Sequence, residues 1–397
     1  MLASSLVFSE RLVAAVLGVL LVVATLRSAI QTVILPRSAR DKIARLVFLA
    51  VRAIFDLRTR KTTTYEQRDR IMAAYAPVAL LTLLISWLVL IGFGYTLLFW
   101  AWEQDTFGKA VRLSGSSLLT LGFETVSDWP GTLLAFSEAT MGLILVAVLI
   151  GYLPTMYAAF SRREAVVSML EVRAGSPPSA VQMIIRFNRL NRMGLMHDLW
   201  ISWEQWFVDL AETHTSLAAL SFFRSPHPAH SWVTAAGAVL DAAALVRSTV
   251  DTPSDEQADL CLRAGYLSLR QIASTFQIHY EPDPVFPEHP ISISRFEFDQ
   301  AYEEMRAAGV PLVADREQAW HDFAGWRVNY DTVLIALATL TMAPYAPWSS
   351  DRSLSPRRQQ QLRRLPLPLA TTDLGLGLLA ETHAPEQGGH AGKGTSV

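Results

Sequence analysis

Not one charged residue lies between Ile71 and Trp102. A helix crosses a bilayer with about 20 mostly apolar residues, and this run exceeds that with length to spare for tilt. Trp100 and Trp102 stand at its far end, where indole rings favour the membrane interface. Two further runs share the pattern. Residues 12–26 are uncharged, and residues 133–160 carry only Glu138. The first of these is bounded by Arg11 and Arg27, whose aliphatic stems let the charged heads reach a headgroup while the apolar centre stays in lipid. The chain therefore reads as an all-α membrane protein with three transmembrane helices.

Composition places these runs. The chain is 51% hydrophobic and 18% charged, below the roughly 25% charge of soluble domains, and the deficit sits in the first 160 residues. From about residue 165 the sequence resumes a soluble mixture. The net charge of −2 provides no field for nucleic acid. Cys261 is the sole cysteine, which excludes an internal disulfide or a cysteine-based metal site. The N-terminus lacks a basic leader and a cleavage site, and Glu10 and Arg11 interrupt it, so the first helix reads as a retained anchor.

The expected organisation is an N-terminal transmembrane anchor over 1–36, a basic cytosolic segment over 37–70, a membrane unit over 71–160, a helical cytosolic domain over 165–347 and a tail over 348–397. Residues 37–70 hold ten Lys and Arg against four acids, the bias of a cytosolic loop. Within it, 42–57 is amphipathic and reads as a helix lying in the lipid interface, with Asp41, Arg45, Arg52 and Asp56 on one face. Residues 103–130 hold four acids against Lys109 and Arg112. The charge bias places the N-terminus outside, the basic loop inside, 103–130 outside and the C-terminal half inside, in a plasma (inner) membrane.

Apolar spacing near 3.6 residues predicts helices over 181–195, 199–223, 231–249, 254–277, 294–308 and 315–340. They are expected to form a bundle. The run 333–345 is too short to span and reads as core. Trp200, Trp203 and Trp206 share one helix face and read as core as well. His197, Glu204, Asp209, Glu212 and His214 lie nearby without Glu-x-x-His or His-x-x-x-His spacing, so no metal site is expected. Neither a phosphate-binding loop nor a nucleophile with its base is present, and no enzyme is expected. The tail turns to Ser, Arg, Gln, Pro and Gly, a composition that reads as disordered.

Residues 113–151 remain. A segment rich in small residues runs into Thr120-Leu121-Gly122-Phe123, then a Trp129-Pro130 break, then the third apolar run. Irregular backbone at membrane depth survives only where protein buries it or water reaches it. The order suggests a re-entrant loop, with a half-helix over 111–119 and an extended return that lines an ion path. A cation path needs oxygen ligands and carbonyls not used in a helix. Ser116 and Ser117 permit close packing in support, Thr120 offers a hydroxyl, and Gly122 permits positive φ. The C-terminal end of the half-helix favours a cation. Glu138 is an ionisable group inside a spanning run and reads as a brace behind the loop. Gly142, Gly151 and Pro154 allow the third helix to bend, or, at the glycines, to pack closely on a neighbour.

Over residues 71–160 the sequence resembles the potassium-channel pore-domain superfamily: outer helix, pore helix, filter, inner helix. The family filter is Thr-Val-Gly-Tyr-Gly, and the matching stretch is Thr120-Leu121-Gly122-Phe123-Glu124. The family's inner helix often opens with a Glu before a hinge glycine, and Glu138 and Gly142 match in spacing. The resemblance implies a homotetramer that conducts potassium or another monovalent cation, with a filter from Thr120 to Glu124 and a gate near Gly142, Gly151 and Pro154. Glu124 replaces the second filter glycine and Phe123 the tyrosine, so the outer filter is expected to be rebuilt. No cofactor is expected beyond the permeant cation, and membrane lipid is the other expected partner. The helical domain would bias the gate in response to an unidentified ligand or partner. The competing reading is a non-channel sensor or scaffold whose helical domain binds a partner.

Overall fold

The computed structural model describes residues 2–33, 41–59, 64–103 and 106–352, with the backbone alone for 2–8 and 103. The predicted tail, apart from 348–352, and part of the basic loop lie outside them. The described chain is all-α, apart from one isolated bridge between Val250 and Leu312. Six helices form the first half: α1 Leu2–Val33, α2 Lys42–Thr59, α3 Tyr65–Ala73, α4 Tyr75–Glu103, α5 Phe107–Leu118 and α6 Trp129–Ala174. Three stretches, Ser9–Val33, Tyr65–Trp102 and Trp129–Ala174, are long and apolar enough to cross a membrane.

Their outward faces carry the argument. Leu12, Val16 and Leu20 of α1, Ile85 and Val89 of α4, and Phe136, Leu143 and Ile150 of α6 are all exposed. A surface helix in water turns a polar face outward. Here the outward face is as apolar as the inner one, so lipid is the solvent it suits. The chain is a multi-pass helical membrane protein joined to a large helical bundle.

Inside the membrane half, α1 and α4 approach backbone to backbone at Gly18 and Gly94, the close contact that small residues allow between spanning helices. The Trp87 indole donates to Ser28 Oγ at 2.9 Å, and the Ser28 hydroxyl donates to Asp41. Asp41 does not share a face with Arg45 as the spacing suggests. It precedes α2 and caps it, accepting from the amides of Ile43 and Ala44 at 3.0 Å. The single helix expected over 71–102 is broken at Ala74. Pro77 has no amide to offer the carbonyl of Ala73, so the ladder must restart there.

α6 runs past the predicted end at 160 to Gly175, whose φ is +86°. Arg163, Val167, Leu170 and Ala174 are buried at a spacing that continues one packed face. At about 1.5 Å per residue the helix is roughly 70 Å long, so it passes directly from the membrane half into the bundle.

The bundle comprises α7 Ala180–Arg189, α8 Met196–Ser216, α9 Trp232–Thr249, α10 Glu256–Thr275, α11 Arg295–Ala307, α12 Arg316–Arg327 and α13 Asp331–Thr341. α9 is buried on nearly every side; it is the central element, as its apolar circumference requires. α13, most of the run 333–345, is core as predicted. Trp200, Trp203 and Trp206 are buried too, with the last two rings 4.5 Å apart. A charged cluster sits within this core: Arg327 bonds Asp331 at 2.8 Å and Asp241 at 2.5 Å, and the Tyr330 hydroxyl donates to Asp241 at 2.9 Å.

Three predicted helices end early. The helix over 315–340 is cut at 328–330, where the Asn329 side-chain amide donates to the Gly325 carbonyl at 3.0 Å. The helix over 181–195 stops at Arg189, and Asn191 takes a left-handed φ of 53°, a conformation asparagine accepts. The helix over 199–223 stops at Ser216, after Thr213 and Thr215 return their hydroxyls to Asp209 and Ala211. Such short side chains compete with the ladder.

Candidate functional site

The half-helix spans Phe107–Leu118 rather than 111–119. Its neighbours set its course between α4 and α6. The Phe107 ring lies 6.0 Å from Trp100, near the end of α4. Ser114 donates to the Gly92 carbonyl, further along α4, at 2.8 Å. The Leu118 carbonyl lies against Gly142, about 20 Å along α6 from Trp129 at 1.5 Å per residue. The chain then comes back, and the Trp102 indole donates to Asp128 at 2.8 Å. Asp128 caps α6 through the Gly131 amide.

At its C-terminal end α5 closes with a Schellman turn. The Thr120 amide donates to the Ser117 carbonyl at 3.0 Å and the Leu121 amide to the Ser116 carbonyl at 2.8 Å. Glycine is the usual residue at the left-handed position of that turn. Here it is Thr120, with φ of 55°, followed two residues later by Gly122 at 72°. A left-handed L-residue costs roughly 1–2 kcal/mol, most for a β-branched one. Thr120→Gly is therefore expected to stabilise the isolated protein by about 1 kcal/mol in thermal unfolding, while removing a hydroxyl from the loop. Glu124, which stands where the family motif has its second glycine, has no positive φ.

Residues 119–125 are not helical. Among the described residues, no hydrogen bond reaches the carbonyls of Leu119 through Phe123. Ser116 fixes the far side of this open stretch: its hydroxyl accepts from the Glu124 amide at 3.1 Å and donates to the Glu124 carbonyl at 3.3 Å. The Glu124 carboxylate lies 3.7 Å from Arg112 on α5. Leu121 and Phe123 are exposed.

Glu138 is fully buried and bonded to Ser114 at 2.6 Å; its second oxygen has no partner. It therefore braces α5 through Ser114, a residue read from the sequence only as small. Ser117 contributes its carbonyl to the turn. Gly142, Gly151 and Pro154 all lie within the continuous helix α6. A Cβ at Gly142 would stand 2.5 Å from the Leu118 carbonyl, whereas one at Gly151 would meet nothing. Close packing explains Gly142.

A second constellation joins the two halves. Arg163, three residues past the apolar run of α6, is buried. It donates to the carbonyls of Leu220 at 3.0 Å and Phe223 at 2.7 Å, and pairs with Glu164 at 2.8 Å. Its Nη1 also reaches His214 Nε2 at 3.0 Å. Ser225 donates to Glu164. One residue along, Arg224 pairs with Asp69 of α3 and donates to the Thr341 carbonyl at 2.7 Å. The Phe222 ring meets Tyr75 of α4 edge-on at 5.7 Å. One segment, 220–225, thus holds α3, the start of α4 and α6 at Arg163 and Glu164. A cavity of about 20 Å³ lies between these groups, enough for a single water.

The charge state of His214 follows from its partners. Arginine only donates, so Nε2 must be a bare acceptor, and Nδ1 carries the hydrogen toward the Leu210 carbonyl at 2.9 Å. Burial, then the Arg163 charge, hold the imidazole well below its usual 6.5. A depressed histidine leaves the folded state unprotonated where the unfolded chain takes a proton. Stability from this site is therefore present above about pH 6.5 and lost as pH falls below it. Thermal unfolding of the wild type should show that decline, and His214→Gln should flatten it between pH 6.5 and 5.

Nothing in the local sequence around Arg163, His214 or Arg224 signals this role, because their partners lie far along the chain. The other residues weighed for metal are dispersed: His197 on Asp255, Glu204 on Gln257, Asp209 near Arg162. Among the described residues no group of three or more His, Cys, Asp or Glu is arranged to hold a metal. No family model, curated protein or solved structure matches this chain.

Proposed function

We propose that this chain is the subunit of a tetrameric cation channel of potassium-channel type. The observation that supports it best is the row of free carbonyls from Leu119 to Phe123, beneath a capped half-helix and between two spanning helices. Free carbonyls at membrane depth require a polar partner, and a desolvated monovalent cation is one. The macrodipole of α5 places its negative end toward the same point. Four copies about one axis would supply a closed ring of such oxygens and cover Leu121 and Phe123. Glu124, Ser116 and Ser117 hold the outer edge and back of the loop; Glu138 braces it through Ser114.

In this reading the bundle is cytosolic and biases the gate through the grip of 220–225 on α3, α4 and α6. Lipid covers the outward faces of the three spans. It also covers Leu46, Ile54 and Leu57 of α2, which are exposed beside Arg45 and Arg58.

Rubidium uptake into proteoliposomes tests the reading. Cys261 is buried, so the wild type serves as a cysteine-silent background. Uptake by Thr120→Cys protein should fall to background after treatment with a charged thiol reagent, and wild-type uptake should not change. Uptake that is absent in the wild type, or a reagent without effect on the cysteine variant, would contradict it.

A further inference from the structure

On the bundle side of α6, an open groove of about 980 Å³ runs between α6, α7 and the start of α8. Its floor is apolar: Leu170, Phe187, Leu199 and Trp203. Four arginines stand around it, Arg173, Arg186, Arg189 and Arg192, against a single carboxylate, Asp198. Arg173 and Arg186 donate only to backbone carbonyls of α6. Among the described residues none of the four pairs with a carboxylate, whereas most other arginines of the bundle do, Arg247, Arg295, Arg316, Arg327 and Arg352 among them. Like charge gathered without a counter-charge raises the local potential, and it does so beside a hydrocarbon surface of a size that holds small ligands.

We infer that this groove binds a single-chain amphiphile with an anionic head, a long-chain fatty acid being the simplest member, its tail on the Leu170–Trp203 floor and its carboxylate between Arg189 and Arg192. Arginine pairs a carboxylate through two parallel hydrogen bonds, and Arg189 and Arg192 are exposed with no partner to displace. A phospholipid held in the bilayer does not reach the site. Val166 to Arg173 lie roughly 9–20 Å beyond Phe160, where the apolar run of α6 ends, at about 1.5 Å per residue. The occupant must therefore leave the membrane, as a one-chain anion does and a two-chain lipid does not. Because one wall is α6 itself, a bound chain rests on the helix that enters the membrane. The inference does not require that the protein conduct ions.

The test uses the full chain in lipid nanodiscs and a photoactivatable sixteen-carbon fatty acid. Adducts should map to peptides within 166–203, and excess palmitate should reduce them at least ten-fold while hexadecanol does not. Arg189→Glu with Arg192→Glu should lower labelling ten-fold or more with an unchanged melting temperature, since neither side chain has a partner to lose. Ser202→Trp, which fills the groove without altering its charge, should lower it as well. Adducts confined to the membrane helices, equal competition by hexadecanol, or labelling indifferent to the arginines would overturn the inference. So would displacement of the probe by an acidic amphipathic peptide but not by palmitate, which would assign the groove to a protein partner.

Discussion

Arg163→Ala should destabilise the protein by about 3–5 kcal/mol, the usual cost of removing one partner from a buried ion pair. The substitution leaves Glu164 buried with only Ser225. It also strips donors from the carbonyls of Leu220 and Phe223 and from His214, and each buried acceptor so orphaned costs about 1–3 kcal/mol. Two comparisons separate this from a general loss of surface charge. Arg162→Ala, next in the chain but exposed and 3.8 Å from Asp209, should cost about 0–1 kcal/mol. Arg163→Met combined with Glu164→Gln should cost less than Arg163→Ala alone, because no unpaired charge remains. Thermal unfolding reads all three. An Arg163→Ala protein as stable as the wild type would show that the junction is not a fastening.

Gly142→Val should abolish uptake while the bundle keeps its stability. Any Cβ at this position stands 2.5 Å from the Leu118 carbonyl, and valine adds two methyl groups in that direction. α5 must retreat, and the Ser114–Glu138 bond that sets its depth goes with it. Gly151→Ala is the control. Its Cβ meets nothing within 4 Å, and alanine favours the helix over glycine by about 0.8–1 kcal/mol. Packing at Gly142 therefore predicts loss of uptake in Gly142→Val and near-normal uptake in Gly151→Ala. A hinge at Gly151 predicts altered opening in the second variant as well.

The features legible in the sequence were those set by local pattern. The absence of charge from 71–102 marked a span, and apolar spacing marked a helix over 231–249, though not its place at the buried centre of the bundle. The serine-rich run before Thr120 marked a half-helix, displaced by a few residues because the N-terminal turn, Phe107 to Ala110, carries no periodic signal. Glu138 stood out because an ionisable group is rare inside an apolar run, and Ser116 because it is small and polar; their bonds to Ser114 and Glu124 were not legible. The rest depended on long-range contact. Arg163 pairs with groups 51 to 60 residues away and Arg224 with one 155 residues away, and no local spacing encodes such partners. Ser114 hid for another reason: a serine in a helix is ordinary until a buried carboxylate is seen beside it. The positive φ at Gly122 was legible from its residue type, whereas the one at Thr120 follows from the Schellman geometry that closes α5.

The claim at the centre is that the carbonyls after α5 form an ion path. Purified protein in a planar bilayer under a potassium gradient tests it most directly. The wild type should pass current that reverses at the potassium equilibrium potential, and Gly122→Asp, made where φ is 72°, should pass none at unchanged size, with stability lowered by no more than the roughly 1–2 kcal/mol of a left-handed L-residue. An electrically silent wild type, or full current through the Gly122→Asp protein, would contradict it.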